Sequence, residues 1–140
     1  MPDIAATFRS LLVANINVSN LVGTRVYSDQ LVQGASMPAI TYFVVDTLPN
    51  EHLTGIADVS RARIQVDCYA DTRGGANDLA DKVRLAMEKQ HRGDNSGQFI
   101  NEISLATGEV HSVDRPEAGS DKRRYITAQD FFVHYRTTTS

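Results

Sequence analysis

RARIQVDCYA, residues 61–70, alternates polar side chains with small or apolar ones at every second position. Successive side chains of an extended chain point to opposite sides, so Ile64, Val66 and Cys68 share one side. Arg63 and its polar neighbours Gln65 and Asp67 fall on the other. A strand with one buried face and one polar face has this pattern. We therefore predict a strand over about residues 59–70, with Cys68 on its inward side.

Further strands are predicted on both sides of this one. Upstream, Pro38 suits a first strand position, and the run that follows it to Val45 is rich in β-branched and aromatic residues. Downstream, two long strands are predicted over about residues 99–114 and 123–136. The sheet is therefore predicted to have four strands, mostly antiparallel.

Two main helices complete the predicted fold. The first covers about residues 4–14, with Asp3 as its N-cap and an apolar stripe that includes Phe8. Asn15 and Asn17 weaken it, and Ser19 is expected to cap one further turn, which Gly23 ends. The second covers about residues 76–90; Gly74 and Gly75 turn the chain into it, and Gly93 stops it. The predicted fold class is α+β, with both helices packed on one face of the sheet.

Composition narrows the class of protein. The chain has 140 residues, of which 41% are hydrophobic and 22% charged, and we treat residues 1–140 as one domain. Its net charge of −3 disfavours a general nucleic-acid binder. Cys68 is the only cysteine, which excludes an intramolecular disulfide. The N-terminal residues lack a signal-peptide pattern and no apolar run is long enough for a membrane span, so we expect synthesis in the cytoplasm and no membrane partner.

Motifs of catalysis and ligand binding are missing from the sequence. The four histidines have no spacing that places two ligands on one metal. Neither a nucleophile elbow nor a phosphate-binding loop is present. An inward-facing Cys68 is typical of a core residue rather than of a nucleophile. Gly74 and Gly75 are better explained by a turn than by an anion site. We predict no enzymatic activity, no cofactor and no metal.

Two groups of basic residues allow two interpretations. Arg61 and Arg63 share the polar face of one strand, and Arg123 and Arg124 open the last strand. An ordinary solvated face accounts for them. The alternative is an electrostatic contact surface for another protein subunit or for DNA that passes nearby.

Two segments are longer than a tight turn requires. One, residues 45–58, contains Pro49 and His52, and the other, residues 115–121, contains Arg115 and Glu117. Long loops in a small domain are often functional, and here they are candidates for contact with neighbouring subunits.

Three segments carry a resemblance to a known family. They are VGTRVY at residues 22–27, MPAITY at residues 37–42 and ARIQVDCYA at residues 62–70. Residues of the following helix and of the C-terminal part add to it: Ala80, Val83, Leu85, Arg124, Asp130 and Phe131. In this order, over about residues 11–135, the chain resembles the tail-completion proteins of long-tailed bacteriophages, which are structurally akin to the tail terminator of lambda-like phages.

The resemblance implies a structural protein of the virion, located at the head–tail junction. It implies a hexameric ring at the head-proximal end of the tail tube, which stops tube polymerisation and meets the head–tail connector protein. DNA would pass through the lumen without being read. The family supplies no catalytic residues, so the contact residues are inferred from the loops and basic segments: Arg61, Arg63, Arg123, Arg124, Pro49, His52, Arg115 and Glu117.

Three alternatives stay open at this point. The first alternative is a head–tail connector adaptor. The second is a small-ligand-binding α+β module, and the third is a host regulatory or toxin–antitoxin partner. The absence of clustered acids, bases and nucleophiles argues against the ligand-binding module.

Overall fold

The computed structural model describes residues 4–31, 34–48, 59–88, 91–95, 98–114 and 123–136. Within these ranges the chain forms three helices and seven strands. In chain order they are α1 (Ile4–Ala14), α2 (Ile16–Val22), β1 (Val26–Ser28), β2 (Ala39–Leu48), β3 (Val59–Ala70), α3 (Arg73–Met87), β4 (Gly93–Asn95), β5 (Gln98–Leu105), β6 (Val110–Asp114) and β7 (Arg124–Arg136).

All seven strands belong to one sheet in the order β1-β2-β3-β7-β5-β4, and β6 pairs with β7 beyond the end of β5. Every pairing is antiparallel except that of β1 with β2. The α+β class and the mostly antiparallel sheet are thus confirmed. The predicted number of four strands was wrong, because the described sheet has seven. β1 and β4 have three residues each, too few to show a periodic pattern. The predicted strand over residues 99–114 is two strands, since the chain leaves the ladder after Leu105 and re-enters it at Val110.

The core lies between one face of the sheet and the helices. Ile64, Val66 and Cys68 are completely buried, as the alternation of β3 predicts. Phe8 of α1 packs on Phe131 of β7 with ring centroids 5.9 Å apart. On the same face, Gln129 donates a hydrogen bond of 2.8 Å to the carbonyl of Ala80 in α3. The helices therefore share one side of the sheet, and there are three of them rather than two.

The first two helices begin and end for identifiable reasons. α1 spans the predicted residues, although Asp3 lies outside the described part of the chain. α2 is a helix of two turns, and the expected cap at Ser19 was wrong. Asn15 caps it instead, since its side-chain oxygen accepts from the backbone N–H groups of Asn17 and Val18. Gly23 ends it as predicted, at a φ of 59° that favours glycine.

The boundaries of α3 differ from the prediction at both ends. The helix begins at Arg73, capped by Thr72, whose hydroxyl accepts a hydrogen bond of 3.0 Å from the N–H of Gly75. Gly74 and Gly75 therefore lie in the first turn and not before it. The helix ends at Met87 with Glu88 as its cap. Gly93 does not stop the helix; it opens β4 at a φ of 131°.

Arg25 joins the end of α2 to the start of β2. Its Nε donates to the carbonyl of Pro38 at 2.9 Å, and its Nη2 donates to the carbonyl of Leu21 at 3.1 Å. Two of the segments that carry the family resemblance, residues 22–27 and 37–42, are thus held together by one side chain. The planar guanidinium suits this task because its N–H groups point in fixed directions.

Candidate assembly surface

The face of the sheet that points away from the helices carries most of the polar pattern, and we call it the open face. Its central rows are set by strand register: Arg61 of β3 lies opposite His134 of β7, and Arg63 lies opposite Phe132. On the other side of β3, Leu48 and Asp46 of β2 continue these two rows. Within the described residues no helix packs on this face, so these side chains form an outer surface of the subunit.

Arg63 forms an ion pair on the open face. Its Nε lies 2.7 Å from Oδ2 of Asp130, and the two side chains are 33% and 12% exposed. The pair joins β3 to β7 and neutralises the charge of Arg63 within the subunit. A partly buried carboxylate depends on such a partner, because burial of an unpaired charge is costly.

Arg61 has a different environment. Its guanidinium lies over the ring of Phe132, 4.4 Å from the ring centroid, which is the geometry of a cation–π contact. Among the described residues its Nε has no hydrogen-bond partner, and neither has Nδ1 of His134 beside it. Both atoms are buried, and polar atoms in that condition usually acquire a partner.

Other arginines also lie against aromatic rings. Arg136 and Arg92 flank Phe99 at 4.2 and 5.6 Å from its centroid. Arg124 lies 5.9 Å from the ring of Tyr69, at the far end of the sheet from Arg61. Arginine and aromatic residues are enriched at protein–protein interfaces, and lysine is depleted there. The surface thus has the composition of a docking face more than that of a solvated one.

Asp67, on the same face, has a carboxyl group whose ionised form is disfavoured by its surroundings. Partial burial raises the pKa of its carboxyl, and the nearby Asp130 raises the pKa further, while a hydrogen bond of 2.8 Å from Gln65 lowers it. The ionised form is therefore held at a cost. Asp67 and Asp130 share this face with Arg61 and Arg63, so the face carries charges of both signs.

The predicted contact residues divide into two groups. Arg61 and Arg63 lie side by side on the open face, whereas Arg124 and the exposed Arg123 lie at the opposite end of β7. The loop residues of the prediction lie outside the described residues: Pro49, His52, Arg115 and Glu117.

Sequence reasoning missed the aromatic and histidine members of the open face, which are Phe132 and His134. The signal was present in the alternation of β7, because these residues are two apart and share a side with Asp130. Neither residue stands in a run of like charges, which is the feature that marks the start of that strand.

Cys68 and the potential metal ligands that lie in the described part of the chain can be located in the structure. Burial raises the pKa of the Cys68 thiol far above its ordinary value, and the side chain is completely buried, as expected of a core cysteine. Within the described ranges no cluster of three potential metal ligands occurs. A search of the same ranges found no helix long and apolar enough to cross a membrane.

The family is identified by comparison with known proteins. The model of the family described as tail completion protein gp17 matches residues 7–139. The chain therefore belongs to this family of phage tail proteins, and it is a structural protein of the virion tail. The comparison with curated proteins gave no match.

One solved structure supports the fold. A chain from the virion of a native gene transfer agent particle superposes with a TM-score of 0.60 at 16% identity, over 94% of this chain and 93% of that one. A second solved chain gives a TM-score of 0.48 at 12% identity, over 98% and 96% of the two chains. The first of these supports the same α+β architecture.

Proposed function

We propose that this protein is the terminator of a phage tail: a ring of six copies that closes the head-proximal end of the tail tube. The ring stops polymerisation of the tube protein and offers a surface to the head–tail connector protein. Membership of the tail-completion family supports the location. The open face, where arginines pair with an aromatic ring and a carboxylate and no helix packs within the described residues, is the observation that carries the assembly role.

A ring of identical subunits closes through heterologous contacts, in which one surface of each copy fits a different surface of the next. The role needs no catalytic group, and we propose no enzymatic activity and no cofactor. DNA passes through the lumen without sequence reading, because base-specific recognition requires a motif that this chain lacks.

The first test uses the purified protein, alone and mixed with its tail-tube protein. Negative-stain images and mass photometry are expected to show rings, or caps that limit the growth of tubes. A protein that stays monomeric and leaves tube length unchanged would contradict a terminator. The same measurement with the head–tail connector protein then tests the role of a connector adaptor.

A second test changes the open face without changing the fold. Arg61→Glu places a carboxylate over the negative face of the Phe132 ring and removes the donors of Arg61. We expect the monomer to fold and the yield of rings or capped tubes to fall at least about tenfold, a change of ~1.4 kcal/mol in assembly free energy. Lys82→Glu, on α3 at the other side of the subunit, makes the same charge change and is the matched control. Equal assembly by both variants would remove Arg61 from the interface.

A further inference from the structure

Two stretches of strand edge have no neighbouring strand in the part of the chain that the structure describes. β1 pairs with β2 only at residues 40–42, so the outer side of Val44–Leu48 stays open. β6 pairs with β7 on one side alone. Arg73 of α3 donates a hydrogen bond of 2.7 Å to the carbonyl of Ser112, which fixes β6 to the body of the subunit. Open strand edges present backbone groups that can pair with another strand.

Both edges carry exposed apolar side chains. Val45 and Leu48 are 44% and 46% exposed, and Val110 and Val113 are 63% and 51% exposed. Of the six large apolar residues that are exposed in the described structure, four therefore lie on these two edges. Proteins usually protect such edges with charges or prolines. Apolar residues at both edges indicate that the edges are covered in the assembled state.

The directions of the two edges fit one another. β2 is antiparallel to β3, β3 to β7, and β7 to β6. When the sheet of one copy continues into the sheet of the next, β6 therefore meets β2 in antiparallel orientation. Both edges are open over about five residues, and both belong to the same chain.

One register of β6 against β2 places each of the four exposed apolar residues opposite another of them. When Ser112 lies opposite Asp46, Val110 lies opposite Leu48 and Val113 lies opposite Val45, because both pairs of apolar residues are three positions apart. Leu48 and Val110 both belong to the open face, since they lie beside Arg61 and Ala128 in the register of their sheets. A slip of one residue would separate both pairs and reverse the faces.

We propose that β6 of one copy pairs antiparallel with the Val44–Leu48 edge of β2 in the next copy, in the register that joins Val110 to Leu48 and Val113 to Val45. The partner is a second copy of this chain, and the inference rests on the proposed ring. The contact is head-to-tail, so each copy uses both of its edges. The row of copies has no free edge only when it closes into a ring.

The strand register also sets the arrangement of successive copies. Ser112 is level with Ile126 on β7, whereas Asp46 is level, through Arg63, with Phe132. The two edges therefore lie at opposite ends of β7, and each copy is displaced along the strands relative to the one before. Strands in such an assembly incline to the ring axis, as they do in closed sheets.

The first experiment blocks each edge separately. The double variants V45K/L48K and V110K/V113K place lysines on β2 and β6, where lysine opposes pairing between edges. Each variant alone is expected to lose ring formation and to remain a folded monomer with an unchanged circular dichroism spectrum. An equimolar mixture of the two is expected to give dimers and no rings, because only one intact pair of edges remains. Rings formed by either variant would overturn the proposal.

A control variant separates edge pairing from a general effect of added charge. Leu85→Lys replaces an apolar residue of α3 that is 57% exposed, as much as those on the edges. It is expected to assemble as the wild-type chain does. Loss of rings in this variant to the same extent would overturn the assignment to the edges.

The second experiment tests the register. Paired residues in an antiparallel ladder have Cα atoms about 4.5–5.5 Å apart, within the range that a disulfide bridges. Mild oxidation of assembled L48C/V110C is expected to give a ladder of covalent multimers in a non-reducing gel. L48C/V113C, whose cysteines point to opposite faces, is the matched control and is expected to stay monomeric. The native Cys68 does not interfere, since it is completely buried.

The outcomes separate the two proposals. Wild-type protein that forms neither rings nor caps contradicts the proposed function. Wild-type rings together with failure of L48C/V110C to cross-link more than its control contradict the edge pairing alone, and the proposed function stands.

Discussion

Three arginines of this protein have different partners for their guanidinium groups. Arg25 donates to two backbone carbonyls, Arg63 pairs with Asp130, and Arg61 lies over the ring of Phe132. Lysine would fill none of these roles equally well, because its ammonium lacks both the fork of donors and the planar surface. The three arginines therefore have different structural roles, although they are the same residue type in the sequence.

Replacement of Arg25 tests the first of these roles. Arg25→Lys keeps the charge but cannot donate to Leu21 and Pro38 in the same directions, so at least one hydrogen bond is lost. We expect a decrease of about 1–2 kcal/mol in the free energy of unfolding, measured by urea denaturation. Arg84→Lys on α3, where the partner Glu88 is exposed, should cost only a few tenths of a kcal/mol. Equal effects would show that Arg25 contributes nothing beyond its charge.

Asp67 gives a prediction on pH. Its pKa is raised in the folded state, so the folded chain holds this proton more tightly than the unfolded chain does. Its contribution to stability is complete below the ordinary aspartate pKa and is lost as the pH rises through the raised value. Asp67→Asn, which can keep the hydrogen bond from Gln65, should therefore raise the Tm at pH 7 and leave it nearly unchanged at pH 3. A lower Tm at pH 7 would contradict the assigned cause.

At the scale of elements, the polar residue at a helix boundary decides where the helix starts. Asn15 interrupts the apolar pattern between α1 and α2, and the sequence suggests that it weakens a helix. In the structure its side chain instead accepts two N–H groups of the first turn of α2, at 3.0 and 3.3 Å. The same residue thus ends one helix and begins the next.

The cap at Asn15 can be tested with a control on the same helix. Asn15→Ala should decrease the free energy of unfolding by about 1 kcal/mol, because two N–H groups lose their acceptor. Asn20→Ala, at an exposed position of α2, should be neutral or slightly stabilising. Thermal and urea denaturation of both variants measures the difference. Equal effects from the two substitutions would contradict the capping role.

Local pattern was sufficient for the elements that have a long buried stripe. The alternation of β3 predicts its buried and open faces, and the spacing of Ile4, Phe8 and Leu12 predicts α1. β1 was missed because three residues have no period and because its partner β2 is distant in the chain. The break between β5 and β6 was missed although Gly108 marks it.

The candidate assembly surface was harder to predict from the sequence than the helices and strands. Arg61 and Arg63 were selected correctly as neighbours on one polar face. The ion pair of Arg63 with Asp130 joins residues 67 positions apart, and no local signal indicates it. The contact of Arg61 with Phe132 depends equally on the register of β3 and β7. Such pairs follow from topology, which a single sequence determines only through the whole fold.

At the scale of the whole molecule, we expect stability and assembly to depend on different residues that are adjacent on one face. Arg63→Glu would place two carboxylates within an ion-pair distance, with Asp130 only 12% exposed, so we expect a loss of about 3–5 kcal/mol in the free energy of unfolding. The reversed pair R63E/D130R should recover part of it. Arg61→Glu, in contrast, should affect assembly more than stability. Charge reversal at both arginines together would therefore mix two effects, and urea denaturation of the three variants separates them.

The register shift in β2 has a consequence for the particle. Between Val44 and Asp46 one extra residue, Val45, stands opposite no partner of β3. A bulge of this kind bends the strand that carries it. The outer edge of β2 beyond the bend is the edge that we assign to the next copy, so the bend contributes to the angle between neighbours. In the proposed ring that angle would fix how many copies complete the circle, so one inserted residue would help to determine the size of the assembly.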